Sequence, residues 1–244
     1  IFGALSFSLH YGLWTGNRRS FFKNIEIRAF LVSIVVLLIV ILVGLAQGGF
    51  YTGSTVLFRK GFFHLISAHT GAGHSTVYAQ HFVSLWHPLA LLALIVAMGL
   101  GGCIGSTTGA IKLLRVGVIV KGLRAEIKRL MFSQSTVVVE KLHHIKTVIL
   151  EEGQVKNALM ITMAFLMLYF VGACCGVYFG YPFLQALFES VSASANVGLS
   201  VGITQAAMPC ALKVIYIFQM LIGRLEFIAV LVSVGFFVSW LRGK

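Results

Sequence analysis

The sequence predicts an all-α membrane protein built from repeated helix–pore loop–helix units, one of them with a broken inner helix. Three observations carry that expectation. Long apolar runs recur: Ala29–Ala46, Pro88–Leu100, Ala158–Phe179 and Phe227–Leu241. Only 11% of the residues are charged while 58% are hydrophobic, against about 25% charged in a soluble domain. A short polar, Gly-bearing stretch also occurs twice, 125 positions apart, each time after a helix too short to span. About 20 apolar residues cross the hydrocarbon as helix. The strands of a β-barrel alternate over about 10 residues rather than stay apolar for 18.

Charge position sets the orientation. The net charge is +12, yet 15 of the 19 Lys and Arg residues fall in Arg18–Arg28, Lys112–Lys156 and the tail at Arg242 and Lys244. Clustering between apolar runs is the positive-inside pattern of a protein seated in lipid rather than on nucleic acid. It places those segments in the cytoplasm.

Taken in order, residues 1–14 read as the end of a transmembrane helix descending to the cytoplasm, and 15–28 as a cytoplasmic linker. The chain opens on Ile1 with no charged n-region, so no signal peptide is expected and a fragment is. The first complete unit spans 29–130. It holds a rising helix to about Gln47, an outer break at "GGFYTGSTV", a short amphipathic helix "FRKGFFHLIS", the loop "AHTGAGHST" and a descending helix from about Phe82 to Leu100. That helix meets "GLGGCIGSTTGA" at 99–109 before helical pattern resumes to about Leu130. Residues 131–156 form a polar cytoplasmic linker of unresolved strand or helix character. The second unit spans 157–244: a rising helix, the turn "GYP", the short helix "FLQALFESVS", the loop "ASANVGLSVG" and a descending helix from about Ala211 to Arg242.

Phe62–Ser75 aligns without a gap on Leu187–Ser200, matching Phe63 to Phe188, Ser67 to Ser192, Gly73 to Gly198 and Ser75 to Ser200. An internal repeat says that one structural unit occurs twice. Non-helical backbone at membrane depth survives only where protein buries it or water reaches it. A short helix followed by a returning loop therefore reads as a re-entrant pore loop, whose carbonyls replace the hydration shell of a cation. The candidate filter residues are Thr70, Gly71, Ala72, Gly73 and His74, and Ala195, Asn196, Val197, Gly198 and Leu199. Neither loop carries Asp or Glu, so any bound K+ is held by carbonyls alone.

Five Gly residues between Gly99 and Gly109 argue against plain helix, since each costs about 1 kcal/mol relative to Ala. Gly101, Gly102, Cys103, Gly105, Ser106, Thr107, Thr108 and Gly109 form a flexible, hydroxyl-bearing break, either a gate or a kink packed on a neighbour. Lys112 lies just below it as an electrostatic element or an interfacial anchor. Arg224 falls about twelve residues into the last helix, where a charge costs roughly 2.5–3.5 kcal/mol and must face a cavity or a partner. Glu226, two residues on, does not share its face.

His64, His69, His74, His81 and His87 lack the spacing of a helical metal site. His69 and His74 flank the first loop as candidates for pH sensitivity, and His143 and His144 are expected to be solvated. The four Cys residues read as small buried packing residues. No Ser/His/Asp set and no paired carboxylates occur at membrane depth, so no enzyme is expected.

"LFESVSASANVGLSVG", "LGGCIGSTTGAIKLLR" and "MLIGRLEF" resemble the fourth pore loop, the Gly-Ser-Thr intramembrane loop and the last-helix motif of the Trk/Ktr/HKT superfamily of potassium transporters, most closely its TrkH/KtrB-type membrane subunits. The resemblance covers essentially the whole chain as the C-terminal half of such a subunit. It implies four units around one pore with one filter glycine each, here Gly73 (Gly71 being the alternative) and Gly198. It further implies that 99–109 gates the pore and that Arg224 lies near it and opposes cation passage. A homodimer in the plasma membrane, a cytoplasmic nucleotide-binding subunit of TrkA/KtrA type docked on the basic linkers, and K+ or Na+ as cargo with no other cofactor follow from the same resemblance. The alternative is a secondary transporter of a small solute, or a Na+-coupled symporter, with broken helices.

Overall fold

The computed structural model describes residues 1–16, 18–51, 53–132, 139–144, 147–225 and 227–243. Its order is a short 3-10 turn (Phe2–Ala4), α1 (Phe7–Trp14), α2 (Arg18–Lys23), α3 (Ile25–Gln47), α4 (Ser54–His69), α5 (Ala79–Ser84), α6 (Pro88–Gly99), α7 (Leu113–Met131), a hairpin of β1 (Lys141–His143) and β2 (Thr147–Ile149), α8 (Glu152–Tyr178), α9 (Phe183–Ser194), α10 (Cys210–Leu225) and α11 (Phe227–Leu241).

Helix α3 starts because the Asn24 side chain accepts from the Glu26 N–H at 2.8 Å, with Glu26 itself in the first turn. Its 23 apolar-dominated residues then run without a proline for roughly 34 Å, enough to cross the hydrocarbon. Phe30, Leu37, Ile41, Gly44 and Leu45 are buried, whereas Leu31, Val32, Val35, Val36 and Ile39 are exposed. One stripe thus packs on protein and the rest is a lipid face. Helix α8, 27 residues long, divides in the same way, burying Ile161, Phe165, Tyr169 and Ala173 and exposing Met163, Met167, Phe170 and Val171.

The expected descending helix from Phe82 to Leu100 is interrupted. α5 ends at Ser84, and α6 begins at Pro88 with His87 as its cap. Proline lacks the N–H that a continuing helix needs, but suits a first turn. Trp86, in the gap, turns inward, its ring 5.0 Å from Phe82 and 5.2 Å from His64. α6 is buried on most sides between α3, α4 and α9, and at 12 residues it rises roughly 18 Å, short of a full crossing. Residues 1–14 are likewise a 3-10 turn and a separate α1 rather than one helix end. α4, at 16 residues, is longer than the ten-residue stretch expected.

Without a hydrophobic drive between helices in lipid, association rests on close packing and interhelical hydrogen bonds. Gly44 of α3 meets α6 so closely that a Cβ there would lie 2.7 Å from the Ala90 nitrogen. Between the two units, the Tyr169 hydroxyl donates to the Gly99 carbonyl at 3.3 Å, and the Phe82 and Phe188 rings stand 6.0 Å apart. Of the Cys residues only Cys103 is buried. Cys174 lies exposed on the outward face of α8 and Cys210 exposed at the first turn of α10, so the packing expectation fails for those two.

Candidate functional site

The two loops that follow α4 and α9 have one backbone conformation. Gly71 and Asn196 take φ of 66° and 55°, and Gly73 and Gly198 take 69° and 90°. The hydrogen bonds repeat at the same offset. The Ala72 N–H donates to the Ser67 carbonyl and the Val197 N–H to the Ser192 carbonyl, both at 3.0 Å. The Ser67 hydroxyl donates to the His74 carbonyl and the Ser192 hydroxyl to the Leu199 carbonyl, both at 2.6 Å. In this register Gly73 is the counterpart of Gly198, and Gly71 of Asn196. Positive φ at alternating positions turns successive peptide groups, and glycine takes that conformation without a Cβ penalty.

The loops meet. A Cβ on Gly73 would overlap the Val197 carbonyl oxygen, whereas a Cβ on Gly198 would meet nothing within 4 Å. Ala195, Val197 and Leu199 are buried while Gly198 is exposed, so in the second loop side chains point into protein and backbone is offered at Gly198. In the first loop Thr70 is buried at the helix end, its hydroxyl donating to the Ile66 carbonyl at 2.7 Å; Ala72 and His74 are exposed. His69, expected beside the mouth, is instead buried behind it: Nδ1 donates to the Leu100 carbonyl at 2.9 Å, and Nε2 lies 2.6 Å from the Ser33 hydroxyl.

Beneath both loops lies residue stretch 100–112. It leaves α6 and returns beside it: the Gly101 N–H donates to the Ile111 carbonyl at 2.8 Å, and the Ile111 N–H to the Gly99 carbonyl at 3.2 Å. Inside it, the Gly102 N–H donates to Thr108 Oγ1 at 2.7 Å, and the Ser106 and Thr108 hydroxyls are 2.8 Å apart. Thr108 lies against Gly71, and Gly109 against the Ala195 backbone. The stretch is therefore a closed loop under the paired turns rather than a kinked helix. Gly105, at φ 74°, makes its outer turn.

Cations and carbonyls hold it. Buried Lys112 donates to the Thr108 carbonyl, and the Arg224 guanidinium donates to the Thr107 carbonyl. The Cys103 and Thr107 N–H groups donate to the Ala4 and Gly3 carbonyls at 2.9 and 3.2 Å. Glu226 lies outside the described residues.

Sequence reasoning missed Glu26. Its side chain is wholly buried, and Oε1 accepts from the Ile104 N–H at 2.7 Å. Oε2 stands 3.4 Å from His144 Nδ1 of the β1–β2 hairpin, and the Asn24 side chain donates to the His144 carbonyl at 2.6 Å. His144 is thus half-buried, not solvated as expected. The available signal was a lone carboxylate two residues past an Asn at the mouth of an apolar run, which reads equally well as an ordinary helix start.

The pattern of the TrkH family, described as cation transport protein, matches residues 1–237. An uncharacterized cation transporter of Methanocaldococcus jannaschii is 30% identical over 94% of this chain and 44% of its own length. The Trk system potassium uptake protein TrkI of Halomonas elongata is 27% identical over 94% of this chain and 46% of its own. The crystal structure of the potassium transporter TrkH from Vibrio parahaemolyticus has the same fold, with TM-score 0.78 at 25% identity, covering 95% of this chain and 49% of that one. The chain spans about half the length of these relatives.

Proposed function

The chain belongs to the TrkH family of cation transport proteins, a transport family and not one of enzymes, and from that premise we propose that it forms half of a K+ uptake pathway. The first unit is read as the third helix–pore loop–helix repeat of the whole transporter and the second as the fourth. Dehydrated K+, with Na+ as its competitor, passes the carbonyls of Thr70–His74 and Ala195–Leu199 under the pull of the membrane potential. The loop from Gly101 to Gly109 is the gate beneath them, held shut by Arg224 and Lys112. The setting is the inner (plasma) membrane, in a homodimer, with a TrkA/KtrA-like nucleotide-binding subunit on the basic cytoplasmic face and no cofactor besides the transported ion.

One observation carries this reading: two loops with the same backbone meet at Gly73 and Val197, and leave the Gly198 backbone facing open space. Carbonyls so placed can replace water around a cation. Gly198→Ser in the intact transporter adds a side chain at positive φ on the proposed ion path. It is expected to lower the ratio of K+ to Na+ flux about tenfold or more, as 1.4 kcal/mol of lost discrimination requires. An unchanged flux ratio refutes the filter.

A further inference from the structure

The same register that pairs the glycines pairs Glu189 of α9 with His64 of α4. Both are buried, and both brace the chain just past their loop. Glu189 Oε1 accepts from the Ser200 hydroxyl at 2.5 Å, the Val201 N–H at 2.9 Å and the Ile203 N–H at 3.3 Å, while Oε2 accepts from the Thr204 hydroxyl at 2.7 Å. At the equivalent places His64 Nε2 meets the Ser75 hydroxyl at 3.3 Å and the Thr76 N–H at 3.2 Å. The Lys60 carbonyl, 2.7 Å from His64 Nδ1, only accepts, and the Thr76 N–H only donates. The ring therefore carries its proton on Nδ1 and is neutral. One loop is braced by a carboxylate; the other is braced by an uncharged imidazole, with the Lys60 ammonium donating to the Thr76 carbonyl and hydroxyl at 3.0 and 3.1 Å.

Glu189 lies one turn before Ser192 on the same face of α9. The Ser192 hydroxyl accepts from the Gly198 N–H at 3.2 Å and donates to the Leu199 carbonyl. Glu189 and Ser192 thus hold consecutive stretches of one loop, Gly198–Leu199 and Ser200–Thr204. A hollow of about 220 Å³ between this loop and α10 is lined by Glu189, Asn196, Gly198, Tyr216 and Met220, so the carboxylate and the exposed glycine border the same space.

We propose that Glu189 is a positioning residue for selectivity: it fixes the Gly198 and Leu199 carbonyls through the chain that follows them, and adds a negative charge beside them where the His64 loop carries the Lys60 ammonium instead. This rests on the filter reading of the two loops. The His64 ring holds the equivalent positions without a negative charge, so geometry and charge are separable here, and the experiment separates them.

K+ and Na+ uptake by the intact transporter is measured for Glu189→Gln, Glu189→Ala and Glu189→His, normalised to inserted protein, with Gly198→Ser alongside. Glu189→Gln keeps the volume and an accepting oxygen, and is expected to raise the KM for K+ about fivefold with little change in the flux ratio. Glu189→Ala strands the Val201 and Ile203 donors and is expected to lower the K+/Na+ ratio about tenfold. Glu189→His copies the brace of the other loop and is expected to recover the ratio but not the KM. A merely structural residue changes the amount of inserted protein and leaves both readouts alone. The proposal falls if Glu189→Gln keeps the wild-type KM, or if Glu189→Ala, once inserted, keeps the wild-type ratio; should Glu189→Ala fail to insert, Glu189→Gln and Glu189→His decide. If Gly198→Ser also leaves the ratio unchanged, the filter reading has failed; if it alone changes the ratio, only the role of Glu189 has.

Discussion

Ser67 and Ser192 show how much a single side chain can organise. Each ends a short helix by taking a loop amide on its carbonyl and giving its hydroxyl to a loop carbonyl two residues further on. Arg224 works in the opposite sense, as a donor reaching across to the Thr107 carbonyl of the loop beneath. A hydrogen bond from a charged group contributes roughly 1.5–3 kcal/mol, so Arg224→Ala is expected to raise the open population of the proposed gate about tenfold. Potassium flux per inserted transporter, at unchanged expression, measures this; a change in expression with unchanged flux marks Arg224 as packing alone. The motif around Arg224 was legible in the sequence, because a charge at membrane depth demands a partner. That the partner is a backbone carbonyl 117 residues away was not, since backbone acceptors leave no residue signature.

At the scale of elements, the crossing of α3 and α6 depends on a missing side chain. Gly44→Leu forces a branched group into the Ala90 backbone, and overpacking of this kind costs about 1–3 kcal/mol. The variant is expected to unfold at lower temperature in detergent than the wild type, while Gly235→Leu, at an open position on α11, is not. The helices themselves were visible as apolar runs, and the short α9 was bounded within a residue or two by "GYP" and "ASAN". The α5–α6 break was not anticipated. Its cause, Pro88, stood in plain view, but proline in a membrane helix is often accommodated by neighbouring groups. Here the tie came from tertiary packing, with Trp86 drawn into the aromatic cluster of Phe82 and His64.

At the scale of the whole molecule, the β1–β2 hairpin is tied to the helical part through one small cluster. His144 rests on Asn24 and near Glu26, and Glu26 in turn holds the Ile104 amide of the 100–112 loop. The 3.4 Å approach of Glu26 is too long for a strong ion pair, and burial, helped by the neighbouring His143, keeps the His144 ring below the ordinary value of 6.5. A depressed His pKa means that the released hairpin takes up a proton more readily than the docked one. Docking is then full above pH 6.5 and weakens as pH falls below it. Protection from hydrogen exchange over residues 139–144 and 147–150, corrected for the intrinsic slowing of exchange at lower pH, is expected to fall between pH 7.5 and about 5.5, and His144→Gln is expected to remove that fall. The repeat and the two loops could be read from the chain alone, because they rest on local pattern. The docking of a polar linker onto a helix start could not, because nothing local in Asn24, Glu26 or His144 names the other two.

The tether on the 100–112 loop has a kinetic meaning. Lys112 and Arg224 occupy the carbonyls of Thr108 and Thr107, the kind of ligand that a bare monovalent cation itself seeks. On the proposed reading they are competitive inhibitors attached to their own target, at a local concentration set by the fold rather than by the cell. An arriving ion then displaces a bound one of the same sign, and the cargo becomes an agonist of its own passage.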